Sequence, residues 1–213
     1  MGAVQRTIEP AQAVELYREA LEVMQILMER TPGDLNYQRD LANTHLGLAT
    51  ALRNAGMLRQ ALEEVNIALV LQREMVKHSP ERLTVREDMF DSLLARGEIY
   101  RESREMDPAL ESLNDALQNA QFLFESNKQS LYSERCLAMV YQGLAEYHKA
   151  LAAQRPTSER KKHILDAAAW YDKSLGIWSR WRGHNLAVPF STNREKEVLR
   201  AKAALHLPTL AKL

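Results

Sequence analysis

A chain of 213 residues with 46% hydrophobic and 26% charged side chains has the composition of a folded domain, which excludes a disordered tail. Its 28 basic and 28 acidic residues cancel, removing the overall field that draws proteins to nucleic acid or anionic lipid. Cys136 is the only cysteine, so an intramolecular disulfide and a multi-cysteine metal site are excluded, and a cytoplasmic place is expected. No opening stretch has signal-peptide character, and no run approaches the ~20 apolar residues that span a bilayer.

Apolar residues recur at three- and four-residue spacing along the whole chain, with glycine and proline between the runs, and no stretch alternates like a strand. Helices are therefore expected over 11–30, 35–54, 58–78, 82–104, 108–127, 130–154, 158–182 and 192–206. The run Thr31, Pro32, Gly33, Asp34 ends the first, and Gly56 turns the second over into the third. Ser79 and Pro80 end the third, because proline lacks a donor and biases the residue before it away from helical angles. Asp107 and Pro108 are expected to open the fifth helix, the aspartate as cap and the proline at the first helical position. Pro156, Thr157 and Ser158 suit a break and a new cap before the seventh, and Ser191 or Thr192 can start the last.

The helices repeat with a period of 48 residues. Ala13, Ala61 and Ala109 fall in one column, as do Ala20, Ala68 and Ala116, and Leu21, Leu69 and Leu117. Leu35, Leu83 and Leu131 form another column. An insertion of ten residues between about Ala152 and Lys162 brings a fourth copy into register through Ala167, Tyr171, Ser174 and Leu175. A fixed period of this size is the signature of stacked supersecondary units.

The second helix of each period carries a small, large, small pattern: Ala13, Tyr17, Ala20; Ala61, Val65, Ala68; Ala109, Leu113, Ala116; and Ala167, Tyr171, Ser174. The first helix keeps a Leu-Gly pair at Leu46 and Gly47, with partial copies at Leu94-Ala95 and Gln142-Gly143. Over roughly residues 11–185 this resembles the tetratricopeptide repeat, in a long-period variant like those beside bacterial signalling domains. The usual tryptophan of the first helix is absent, and the period exceeds the usual 34 residues; an armadillo or HEAT-like array is the structural alternative. The resemblance implies an all-α chain wound as an α-α superhelix, a tetratricopeptide-like solenoid of about three and a half helix pairs plus a carboxy-terminal capping helix. It would form one domain over 1–213, with a half-repeat at 11–30, repeats at 35–78, 82–127 and 130–182, and a cap at 191–206. It also implies a scaffold that holds a partner protein or peptide on its concave side, freestanding or as the regulatory part of a signalling protein. A self-assembling structural subunit is the alternative, and an enzyme with a site formed only in three dimensions is a further one.

Chemistry is thin. The six histidines include no HExxH pair, and none has a cysteine or second histidine at local ligand spacing, so no catalytic residue, metal or cofactor is expected. His148 lies near Glu146 and Lys149 on a helix and would need help from elsewhere to make a metal or acid-base site. Cys136, beside Leu137 and Ala138, reads as a small buried hydrophobe. Arg155, Arg160, Lys161 and Lys162 precede Trp170, Trp178 and Trp181, an arrangement that can bind single strands. The aromatic spacing fits core packing better, and no nucleic-acid or membrane partner is expected.

The partner-facing side follows from the apolar stripe of the first helices. In the helix from Leu35, the stripe Leu41, His45, Leu48, Leu52 leaves Arg39, Asn43, Thr50 and Asn54 on another face. One period later these become Glu87, Asp91, Glu98 and Glu102, and one later still Arg135, Met139, Glu146 and Ala150. The middle helix is thus expected to present an acidic ridge to a basic or neutral ligand segment, unless its acids pair with Arg39 or Arg135 across neighbouring helices. At the amino terminus Val14, Tyr17, Leu21 and Met24 are expected to form an uncovered apolar strip that docks against a second copy or an upstream domain. At the other end Val198, Leu199 and Leu205 are expected to pack while Arg194, Lys196, Arg200 and Lys202 face water.

Overall fold

In the computed structural model, which describes residues 9–31, 33–186 and 188–205, the described residues form eight α-helices and no strand. They are α1 (Pro10–Arg30), α2 (Leu35–Asn54), α3 (Leu58–His78), α4 (Leu83–Glu102), α5 (Met106–Ser126), α6 (Leu131–Gln154), α7 (Thr157–Gly183) and α8 (Pro189–Ala203). The described residues make an all-α helical repeat that divides into two compact units, Met1–Ser103 and Arg104–Leu213, and within each unit sequential helices pack on one another. The expectations for Pro32 and His206 lie outside the described residues.

In the first unit α1 packs on α2, α2 on α3 and α3 on α4, with α2 also beside α4. The columns read from the period make these contacts: Ala61, Val65 and Ala68 of α3 are 0% exposed, and Leu69 is buried beside them. Val65 and Ala61 join Val14, Leu48, Ala49, Ala51, Leu52 and Ile99 in one apolar cluster. Ala42, Met75 and Val85 make a second. Each buried Val or Leu side chain contributes about 1.5–3 kcal/mol by leaving water. The glycine of the Leu-Gly pair has a visible cause, since a Cβ built on Gly47 would sit 2.2 Å from Cε1 of Tyr17. Only glycine lets that ring lie against α2.

In the second unit α5 packs on α6, α6 on α7 and α7 on α8. Ala109, Leu113 and Ala116 are buried on α5, and Ala167, Tyr171 and Ser174 on α7, so the same columns carry the packing here. Cys136 is fully buried. Trp178 and Trp181 are buried edge to face, with centroids 5.1 Å apart, and Phe190 of α8 stands 6.3 Å from Trp178. Trp181 also donates from Nε1 to Glu134. The aromatic cluster is therefore what α8 docks against. Buried Glu195 of α8 accepts from Ser179 Oγ at 3.0 Å and pairs with Arg182 at 3.2 Å.

Expectations for α5, α8 and α1 need correction. α5 begins at Met106, two residues before Pro108, with Glu105 as its cap residue and Asp107 inside its first turn. Proline is tolerated there because the amides of the first turn have no partner within the helix to lose. α8 begins at Pro189, where proline's fixed φ starts the helix and Val188 before it is extended. Ser191 then lies in the first turn and its Oγ accepts from the Val188 amide at 3.0 Å. Val198 and Leu205 pack as expected, but Leu199 is 50% exposed, and Lys202 reaches Asp172 of α7. On α1, Val14 is core and the partly exposed ring of Tyr17 lies against Gly47, whereas Leu16, Val23 and Ile26 are exposed. The outward apolar strip is thus turned around the helix from the expected one, because Val14 occupies the side that packs on α2.

Comparing copies exposes two local differences. Asp34 caps α2 by accepting from the amides of Asn36 at 2.8 Å and Tyr37 at 3.3 Å, and Ser130 caps α6 through Ser133 at 3.3 Å. Arg82 holds the same column before α4 and makes no side-chain cap. After α2, Gly56 has φ +77, and the amides of Gly56 and Met57 close back on Arg53 and Leu52. That is the Schellman ending. One period on, Arg104 takes the same left-handed conformation with φ +64. A side chain there costs about 1–2 kcal/mol, partly offset by glycine's greater freedom when unfolded. Arg104→Gly should therefore stabilise the protein by about 1 kcal/mol in urea unfolding; a lowered midpoint would contradict this account of the turn.

Candidate functional site

The first helices carry the side chains that sequence places on the partner-facing side. On α2 and α4 several of them are engaged across the two helices by residues beside them. Arg39 donates from Nε to Asp88 Oδ2 at 2.5 Å and from Nη2 to Oδ1 at 3.1 Å, a two-point contact, and Asn43 adds a longer bond to the same carboxylate at 3.4 Å. In the last turn of α2, Arg53 donates from Nη2 to Glu102 at 2.6 Å and from Nη1 to Glu98. Burial alone would lower the Arg53 pKa, but bonds to Glu102 and the charges of Glu98 and Glu102 hold it above its ordinary value. The Arg39 pKa is likewise raised, chiefly by its bond to Asp88.

Two arginines of α2 thus tie it to α4 at both ends of their shared face. Pairs this exposed contribute about 0.5–1 kcal/mol each. The acids nevertheless outnumber the arginines, since Glu87, Asp88, Asp91, Glu98 and Glu102 stand on or beside the face against Arg39, Arg53 and Arg101, which lies 3.6 Å from Glu102. Glu87 and Asp91 are half-buried, and both make interactions of their own. Thr50 bonds back to the carbonyl of Leu46 at 3.0 Å, and Thr50 and Asn54 are exposed at the end of the face. Sequence reading missed Asp88 and Arg53. Arg53 is offset by one residue from Asn54, and only the crossing of α2 over α4 aims it between two carboxylates a helical turn apart.

On α6 three of the four remaining positions, Arg135, Met139 and Glu146, behave differently. Arg135 lies 4.3 Å from the centroid of the Tyr132 ring and donates to Met139 Sδ at 3.4 Å. Glu146 accepts from Tyr171 Oη of α7 at 2.5 Å and pairs with Lys149 at 2.6 Å. Its carboxylate is therefore spent on the α6–α7 contact.

Next to it, His148 finds the help that its own helix lacks. His163 and Asp166, three apart on α7, turn toward it: His148 Nδ1 is 3.1 Å from His163 Nδ1 and 3.8 Å from Asp166 Oδ2. One ligand atom from each lies within 4.8 Å of the others, and all three residues are half-buried. Burial lowers the His148 pKa, Asp166 opposes this, and His163 and Lys162 add to it. The second histidine that sequence spacing does not show arrives across a helix hairpin. Fifteen residues separate the two histidines in sequence, so the readable signal was the His163, Asp166 pair at helical spacing.

The basic and aromatic residues after the insertion do not form one surface. Arg155, Arg160, Lys161 and Lys162 are exposed, whereas Trp178 and Trp181 are core. Trp170 stacks on Tyr141 with centroids 5.5 Å apart, and Lys173 Nζ sits 3.8 Å over its ring. Among the described residues no helix is long and apolar enough to cross a membrane.

No protein-family model matches the chain, and no curated protein matches it either. Among solved structures, the crystal structure of BtubC (BKLC) from P. vanneervenii is similar over 97% of each chain, at 15% identity and a TM-score of 0.35. At that score the likeness says nothing about the family of this chain.

Proposed function

We propose that the chain is a protein-binding scaffold of tetratricopeptide type, which holds a basic or neutral segment of a partner on the polar face of its first helices and catalyses no reaction. The observation that carries this reading is the division of labour within each helix pair. The small, large, small columns of α3, α5 and α7 are consumed in packing, while α2 and α4 bring Arg39 and Arg53 together with Asp88, Glu98 and Glu102 on a partly exposed face. That face holds five carboxylates against three guanidiniums, so a cationic segment laid along it gains more than an anionic one. The face suits a freestanding adaptor or the regulatory part of a signalling protein equally well.

Affinity capture with the whole chain at low salt, followed by mass spectrometry, identifies the bound protein. Its affinity is then compared for the wild type and for Asp91→Asn with Glu98→Gln, at roughly 50 and 300 mM salt, because exposed charges are screened over ~8–10 Å. Glu98→Gln leaves Arg53 its bond to Glu102, so the variant should fold and melt nearly as the wild type does. Binding is expected to weaken severalfold in the variant and again with salt. Equal affinity of both proteins with no salt dependence would remove the acidic face from consideration.

A further inference from the structure

We propose that His148, His163 and Asp166 form a binding site for a divalent transition metal ion, with Zn²⁺ the best match, that ties α7 to α6. This inference stands apart from the scaffold reading and concerns only the second unit.

The geometry is close to that of a three-ligand zinc site. With Zn–N bonds of about 2.0–2.1 Å and tetrahedral angles, two ligating nitrogens stand roughly 3.3 Å apart. The two Nδ1 atoms are 3.1 Å apart. Asp166 Oδ2 is 3.8 Å from His148 Nδ1, about 0.5 Å beyond that spacing, and the three ligand atoms all lie within 4.8 Å of one another. Imidazole and carboxylate ligands together suit zinc and its neighbours in the transition series, whereas Mg²⁺ and Ca²⁺ want oxygen alone. Three protein ligands leave a fourth position for water.

The facing nitrogens are an independent sign. Two neutral imidazoles that meet through Nδ1 can share only one proton, so one ring donates and the other accepts. A metal ion displaces that proton to solvent and is held by both lone pairs. The edge of Tyr147 is 5.3 Å from the His148 ring, at 80° to it, and limits how far that ring can turn. Of the cations nearby, Lys162 is exposed and Lys149 is already paired with Glu146, so their opposition to a bound dication is screened.

The site also has a place in the architecture. One and two periods before His148 stand Tyr100 and Leu52, so the other copies have no counterpart. It occurs at the helix pair where the ten-residue insertion breaks the period. A metal there would fasten the start of α7, beyond that insertion, to the body of α6.

The test uses the full chain without a tag, stripped by chelator and titrated with Zn²⁺ by calorimetry, with Co²⁺ absorption as a report on coordination. One equivalent should bind, and the melting temperature should rise by roughly 5–10 °C at a free zinc concentration 100 times Kd. His163→Ala and Asp166→Asn change half-buried positions on α7, and circular dichroism verifies that they fold. Each should weaken zinc at least about tenfold, since losing a supporting partner of a ligand already costs 10–100-fold. His184→Ala, at an exposed histidine elsewhere, and Mg²⁺ in place of Zn²⁺ serve as controls that should change nothing and bind nothing. A titration without a one-equivalent step, or an affinity unchanged by His163→Ala and Asp166→Asn, overturns the proposal.

Discussion

Close approach of helix backbones is the constraint on which both units depend. Ala61 and Ala68, Ala109 and Ala116, and Ala167 with Ser174 all lie at 0% exposure, each pair flanking one larger buried side chain. A methyl or hydroxymethyl group at these points lets axes come within the lower part of the 8–10 Å range of packed helices, and the larger residue then fills the remaining gap. Gly47 extends the same logic to the first helix, where even a methyl group would strike Tyr17. The charged residues are left over from this packing, and they gather where it leaves helix faces open.

The two elements of possible function are products of helix crossing. On α2 and α4, parallel positions one period apart bring arginines of one helix against carboxylates of the next: Arg39 meets Asp88 and Arg53 meets Glu98 and Glu102, at separations of 45 to 49 residues. The acid surplus that remains gives the face its sign. On α6 and α7 the insertion changes the register, and His148 faces His163 and Asp166 where earlier copies place Leu52 and Tyr100. A repeat thus acquires individuality where its period slips.

Much of the fold could be read in the sequence because packing imposes periodicity on residue type. The spans of α2 and α3 match the apolar pattern at both ends, since Asp34 and Gly56 mark their boundaries with side-chain and backbone chemistry of their own. Where the signals compete, reading failed: Pro108 and Ser191 each look like a helix start, yet the first turn tolerates a proline, and Pro189 starts α8 earlier. The stripe on α1 was misplaced because nearly all its sides carry an apolar residue, so periodicity alone does not say which side is covered. Arg53 and His163 were missed for a different reason. Their partners lie on other helices, and the crossing that aims one side chain at another leaves no pattern in local spacing.

The central claim is that the small residues of the 48-residue columns hold the helices together by permitting close approach. It is tested most directly by urea unfolding of Ala68→Leu and Ala116→Leu beside Ala169→Leu, which changes an exposed alanine of α7. Each of the first two should cost about 1–3 kcal/mol through overpacking, while Ala169→Leu stays within about 0.5 kcal/mol of the wild type. Near-neutral effects at Ala68 and Ala116 would contradict the account, because they would mean that the helices have room to spare where the columns meet.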